Sequence, residues 1–214
     1  MTRARTAGTG PKAEAARAAA AAGPEPARPE AAGARERLLA EAQRMLLERG
    51  RLSDLSLRGL AEQLGTSHRM LIYHFGSRDG LLAALLVELS RQERGALLEQ
   101  GDGAGLGEAL HRLEEAYIDP SSSARTTAFF YVLGLAAQDP DTYREFLASI
   151  DAWIELFTVL GMREGRGREA AHARAHAVVW AARGAMFQAL ATGERSAALR
   201  VFRQVLAELD VTRG

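Results

Sequence analysis

His68, Arg69, Met70 and Tyr73 fall within six residues and bring together an imidazole, a guanidinium, an apolar tip and a phenol. Projected from one face of a helix, that set suits the edges of bases in a DNA major groove, which present acceptors, donors and the thymine methyl. Leu71 and Phe75 occupy the opposite side of the 3.6-residue period and would anchor the helix inward. Arg69 could read a guanine bidentately or grip a phosphate, and the residues alone leave both open.

Such a face works only if neighbouring elements hold it out to the duplex. Ser56 is placed to cap a short helix in which Leu57, Leu60, Ala61 and Leu64 recur at i, i+3, i+4 and i+7 before Gly65 stops it. Thr66 and Ser67 supply a turn and a fresh cap, and His68 to Phe75 makes the next helix, closed by Gly76 and Ser77. Two short helices joined through Gly65-Thr66-Ser67 are a helix-turn-helix. A first helix is expected from Ala34, with Leu38, Ala42, Met45 and Leu46 on one stripe and Gly50 past its end. A longer fourth helix is expected from Asp79 to about Gln100, carrying Leu82, Leu85, Leu86 and Leu89 inward.

Further helices are predicted near 106–117, 122–138, 141–161, 168–191 and 196–209, with no period-2 alternation anywhere. The predicted fold class is all-α: residues 1–33 as a disordered N-terminal arm, 34–80 as the helix-turn-helix domain and 81–214 as a C-terminal helical domain. The arm mixes prolines and glycines with alanine and has almost no large apolar side chain to bury, although Lys12 to Ala22 could form a marginal helix. Its Arg3 and Arg5 could reach an adjacent groove.

The 214 residues hold 27 basic and 27 acidic side chains, so any basic surface must be local. Residues 34–80 carry eight basic and six acidic groups, and 81–214 carry fourteen and eighteen. The absence of cysteine excludes a disulfide framework, a thiolate zinc finger and a cysteine nucleophile. With no secretory leader and no long apolar run expected, the reading is a soluble cytoplasmic protein without a membrane partner. His172 and His176 have metal-ligand spacing, but no acidic residue completes an HExxH-type site, so no metal is expected. The Gly101 to Gly107 run lacks a GxGxxG register and reads as a loop. No nucleophile elbow, phosphate loop or paired carboxylates stand out, so no catalytic residue and no cofactor are predicted.

The run from Leu57 to Phe75, followed by Gly76-Ser77-Arg78-Asp79-Gly80-Leu81, resembles the DNA-binding domain of TetR-family transcriptional regulators, over about residues 34 to 82. The resemblance implies phosphate contacts near Ser56, Tyr73, His74 and Arg78, and base or backbone contacts from Ser67, His68, Arg69 and Met70. Ile72 stands where the family usually has an aromatic residue, and Arg69 where a small one is common. For the remainder, the resemblance implies a helical domain that dimerises through its last two helices and encloses a small-molecule pocket. The apolar stripes Val178, Val179, Ala182, Ala185, Met186 and Leu199, Phe202, Val205, Leu206, Leu209 are the expected dimer seam. Aromatic residues distributed over these helices could surround one cavity. The candidate ligand-binding residues are His111, Phe130, Tyr131, Gln138, Trp153, Phe157 and Trp180. The expected protein is a homodimeric regulator, a repressor that leaves a double-stranded DNA operator on binding an unidentified effector. The rival readings are a small-molecule binding protein with a vestigial head and a helical enzyme with an unrecognised site.

Overall fold

In the computed structural model, residues 29–49, 56–99, 106–111 and 122–209 are described. Their helices are α1 (Pro29–Arg49), α2 (Leu57–Gln63), α3 (His68–Phe75), α4 (Arg78–Glu99), α5 (Ser123–Gln138), α6 (Arg144–Arg163), α7 (Arg168–Thr192) and α8 (Arg195–Glu208). Residues 106–111 are also helical, and no strand occurs among the described residues. The all-α class is borne out. Residues 3, 5, 12–22 and 101–105, and 112–117 of the predicted 106–117 helix, lie outside the described residues.

By internal contacts the chain falls into two units, residues 1–37 and 38–214. In the first, the helix is already formed at Pro29, ahead of the predicted start at Ala34, and Arg37 Nε donates to the Gly33 carbonyl at 3.3 Å. In the second, Leu39, Ala42, Met45 and Leu46 of α1 join a core with Leu60, Leu71, Leu81 and Leu85.

The turn between α2 and α3 follows from one glycine. Gly65 adopts φ +61°, where a Cβ is strained, and its N–H donates to Glu62 while that of Thr66 donates to Ala61. This paired arrangement is a Schellman motif and satisfies the last carbonyls of α2. The serines on either side do as their spacing predicts: Ser56 Oγ accepts from Gly59 N at 3.1 Å and Ser67 Oγ from Met70 N at 3.2 Å.

A pair of glycines sets the corner between α3 and α4, whose axes differ by 58°. Gly76 closes α3 at φ +71°. Ser77 then caps α4, its Oγ accepting from Gly80 N at 2.9 Å. A Cβ on Gly80 would lie 2.0 Å from the Phe75 carbonyl oxygen, so only glycine lets the two backbones come this close.

The longer helices enclose the rest of the core, with α6 buried along Phe146, Ile150, Trp153, Ile154 and Phe157. Gly161 of α6 lets α7 approach: a Cβ there would be 3.3 Å from Ala171 Cβ. No single described helix is long and apolar enough to cross a membrane.

Candidate nucleic-acid interface and ligand cavity

α3 is divided cleanly by burial. Leu71 is fully buried and Phe75 nearly so, while His68, Arg69, Met70, Ile72 and Tyr73 are exposed, Tyr73 at 70%. The periodicity that placed Leu71 and Phe75 inward therefore left a guanidinium, an imidazole, a thioether and a phenol on one outward face. Eight residues of α3 span about 12 Å of axis, enough to lie along several base pairs of a major groove.

The two capping serines flank this face and are exposed. Each hydroxyl accepts a backbone N–H and keeps its own O–H to donate, so capping and phosphate contact are compatible. His74 is half-buried, with its ring edge-on to Tyr73 at 5.0 Å and tilted against Phe75 at 6.0 Å. It sits behind the outward face. Arg78 is also half-buried. Its Nε and Nη2 donate to Asp79 Oδ1 at 3.1 and 3.0 Å, and Nη2 donates to the Tyr131 hydroxyl at 3.0 Å. Hydrogen bonding to Asp79 is the largest cause that raises the guanidinium further above its ordinary value, so it carries its charge at every relevant pH.

Behind the head, α4, α5, α6, α7 and α8 surround a cavity of about 110 Å³ lined mostly by Leu, Ile, Phe, Trp and Ala side chains. Of the candidate ligand residues, the structure brings Trp153 and Phe157 together on its wall. Trp153 Nε1 donates to Ser90 Oγ at 2.8 Å, and that hydroxyl also accepts from Arg94 at 2.6 Å, so the indole offers the cavity its apolar body.

The other five candidates lie outside the lining. The Tyr131 hydroxyl binds Asp79 and Arg78. Phe130 packs edge-on against Phe187 with centroids 5.1 Å apart. Gln138 donates to the Gly134 carbonyl on its own helix, and His111 and Trp180 are exposed. Periodicity could not separate these from Trp153, because several faces of each helix carry apolar or aromatic residues.

Residues that sequence reasoning missed complete the wall. Arg125 and Glu93 form an ion pair across α5 and α4. Thr126 is buried, and Ser149 donates its hydroxyl to the Phe146 carbonyl at 2.6 Å. A threonine in a helical stretch gives no sequence signal for a cavity, since its hydroxyl usually bonds back to its own helix.

The stripe predicted as the dimer seam is turned largely inward. Val178, Val179, Phe202 and Leu206 are buried, and Ala182, Ala185, Met186 and Leu199 line the cavity. The exposed apolar stripe lies elsewhere on the same helices: Ala173, Ala177, Trp180, Gly184, Phe187 and Ala191 recur along α7, and Val201 is exposed on α8. Arg183 lies 5.5 Å over the Trp180 ring. His172 and His176 face Asp151 and Glu155 across a shallow surface depression, with His172 Nδ1 3.4 Å from Thr158 Oγ1. Among the described residues, no group of three or more such side chains is arranged to hold a metal ion.

Comparison with known proteins agrees with this geometry. Residues 38–85 match the profile of bacterial regulatory proteins of the tetR family. A TetR-family transcriptional regulator from Pectobacterium atrosepticum is 25% identical, with 87% of this chain and 95% of that one aligned at a TM-score of 0.62. One from Streptomyces coelicolor is 23% identical over 84% and 96%, with a TM-score of 0.58. A transcriptional regulator described as putative, from Rhodococcus sp. RHA1, has a TM-score of 0.64 at 17% identity over 84% and 96%. No curated protein matches the chain. The resemblance read from the helix-turn-helix residues is borne out, and the fold is that of TetR-family transcriptional regulators with an N-terminal DNA-binding head.

Proposed function

We propose that this chain, a regulator fold with a DNA-binding head of the TetR type, is a homodimeric repressor that a small molecule releases from its operator. One observation carries the reading: α3 buries Leu71 and Phe75 and holds His68, Arg69, Met70, Ile72 and Tyr73 out to solvent. Ser56 and Ser67 stand beside that face as phosphate contacts, and His74 and Arg78 steady it from behind. The functional division is an arm at 1–33, a head at 34–80 and a helical body at 81–214. The protein acts in the cytoplasm, as a binder and not as a catalyst, with no cofactor.

The exposed stripe on α7 and Val201 of α8 are the dimer face. Trp180 and Phe187 are large apolar side chains at 41% and 54% exposure, and the alanines and Gly184 between them allow close helix approach. A twofold pair presents two reading helices to half-sites about 34–36 Å apart or offset by a helical turn. A ligand seated among α4 to α8 favours one spacing of those heads over the other, and that differential affinity is what converts binding into release.

The experiment is selection of genomic fragments by purified protein, then gel shifts with the selected duplex. A recovered, partly palindromic site bound by the dimer supports the reading. Failure to enrich any fragment, with Arg69→Ala indistinguishable from the parent on all DNA, overturns it.

A further inference from the structure

Among the described residues of the cavity wall, one polar side chain has no protein use for its polarity. Thr126 lines the cavity, is 5% exposed, and its Oγ1 makes no hydrogen bond to any described residue. The contrast with other helical threonines is direct: Thr127, Thr158 and Thr192 each donate to the carbonyl four residues back, at 2.8, 2.7 and 2.9 Å. A buried hydroxyl left without a partner loses its hydration with nothing in return, so its place in an apolar wall calls for a partner that arrives from outside the chain.

The rest of the wall limits what that partner is. Leu86, Leu89, Phe129, Phe146, Trp153 and Phe157 present hydrocarbon, and a lone charge moved among them would lose its hydration. The one carboxylate among the described lining residues, Glu93, is joined to Arg125. Arg183 donates to the Val179 carbonyl at 3.0 Å with its guanidinium 5.2 Å over the Phe129 ring, and Arg195 stands at the first residue of α8. A volume of about 110 Å³ is comparable with dry apolar cavities that take a single six-membered ring.

We infer that the effector is a compact, uncharged and largely apolar molecule carrying one carbonyl oxygen, to which the Thr126 hydroxyl donates. This rests on the proposed effector-binding role of the cavity and names the ligand class for it. Thr126 is then a specificity-determining residue: the hydrocarbon wall supplies affinity, and the one hydroxyl there without a partner among the described residues discriminates a ketone from the matching alkane.

The test uses the full-length protein and four probes of one shape: cyclohexanone, methylcyclohexane, cyclohexanecarboxylate and cyclohexylammonium, titrated calorimetrically. Cyclohexanone is expected to bind most tightly and the two ions not at all. Thr126→Val should weaken cyclohexanone roughly 3- to 10-fold and leave methylcyclohexane unchanged or tighter, while Thr126→Ser keeps the ketone preference. Equal ketone affinity in parent and Thr126→Val, a preference for either ion, or no binding of any probe overturns the inference. Should the valine variant fail to fold, the serine variant and the probe ranking decide alone. Gel shifts on the same samples separate the two readings: ketone binding without DNA binding sinks the regulator, and DNA binding without ketone binding sinks only the ligand class.

Discussion

Arg78 at the start of α4 donates from Nη2 to the Tyr131 hydroxyl at 3.0 Å, fifty-three residues away in the middle of α5. Tyr131 in turn donates to Asp79 Oδ1 at 3.1 Å, so three side chains join the first turn of α4 to α5. A residue read as a phosphate ligand thus has two protein partners, and its role divides between holding the corner and meeting DNA. Arg78→Ala is expected to lower thermal stability and to reduce the slope of log affinity against log salt by less than the roughly 0.9 that a full phosphate contact contributes. A double-mutant cycle with Tyr131→Phe should give a coupling of about 0.5 kcal/mol or more, and additivity would refute the strut.

Gly80 is the tightest constraint at the same corner. Gly80→Ala places a Cβ against the Phe75 carbonyl, and the two helices must separate to admit it. A loss of roughly 1 to 3 kcal/mol in urea unfolding is expected, with DNA affinity falling further than stability because α3 is re-aimed. An alanine variant with parental stability and operator affinity would show that the approach is looser than the structure has it.

The two sides of α3 should fail differently. Leu71→Ala empties a fully buried site and should cost about 2 to 5 kcal/mol of stability, seen as an earlier unfolding midpoint. Arg69→Ala should leave that midpoint in place and cost about 1 to 3 kcal/mol of specific binding if the guanidinium reads a base. Equal weakening on operator and random duplex would assign Arg69 to phosphate.

Replacing Phe187 with Glu puts a charge in the exposed stripe of α7 without disturbing the monomer core, since more than half of the side chain is open to solvent. Sedimentation should show a shift from dimer to monomer at micromolar protein. Operator affinity should fall by about 100-fold or more once the two heads are no longer linked. A Phe187→Glu protein that stays dimeric would move the interface off this face.

Asp139, in the turn between α5 and α6, is held below the ordinary carboxylate range by hydrogen bonds from the Thr142 hydroxyl and then its backbone N–H, the latter at 3.2 Å. Because the folded value is depressed, this turn keeps its full support above the unfolded carboxylate value and loses it as pH falls through the folded one. Amide exchange at Thr142 should accelerate over that acidic window, and Asp139→Asn should flatten the response.

Much of the head was legible in the chain itself. Ser56, Gly65, Ser67 and Gly76 are local signals, acting through hydrogen bonds and φ values within a few residues, and Leu71 and Phe75 follow from a period that backbone geometry imposes. The sequence likewise determined the all-helical class, because no segment alternates with period two. The positions of Tyr131, Thr126 and the inward stripe of α7 were decided only by tertiary structure. Helices α4 to α8 carry apolar residues on more than one face, and which face meets the core, which the cavity and which the solvent depends on how five helices pack at once. Thr126 and Thr127 are adjacent and chemically identical, yet one hydroxyl closes on its own helix and the other is left in an apolar wall, a difference set by neighbours far away in the chain.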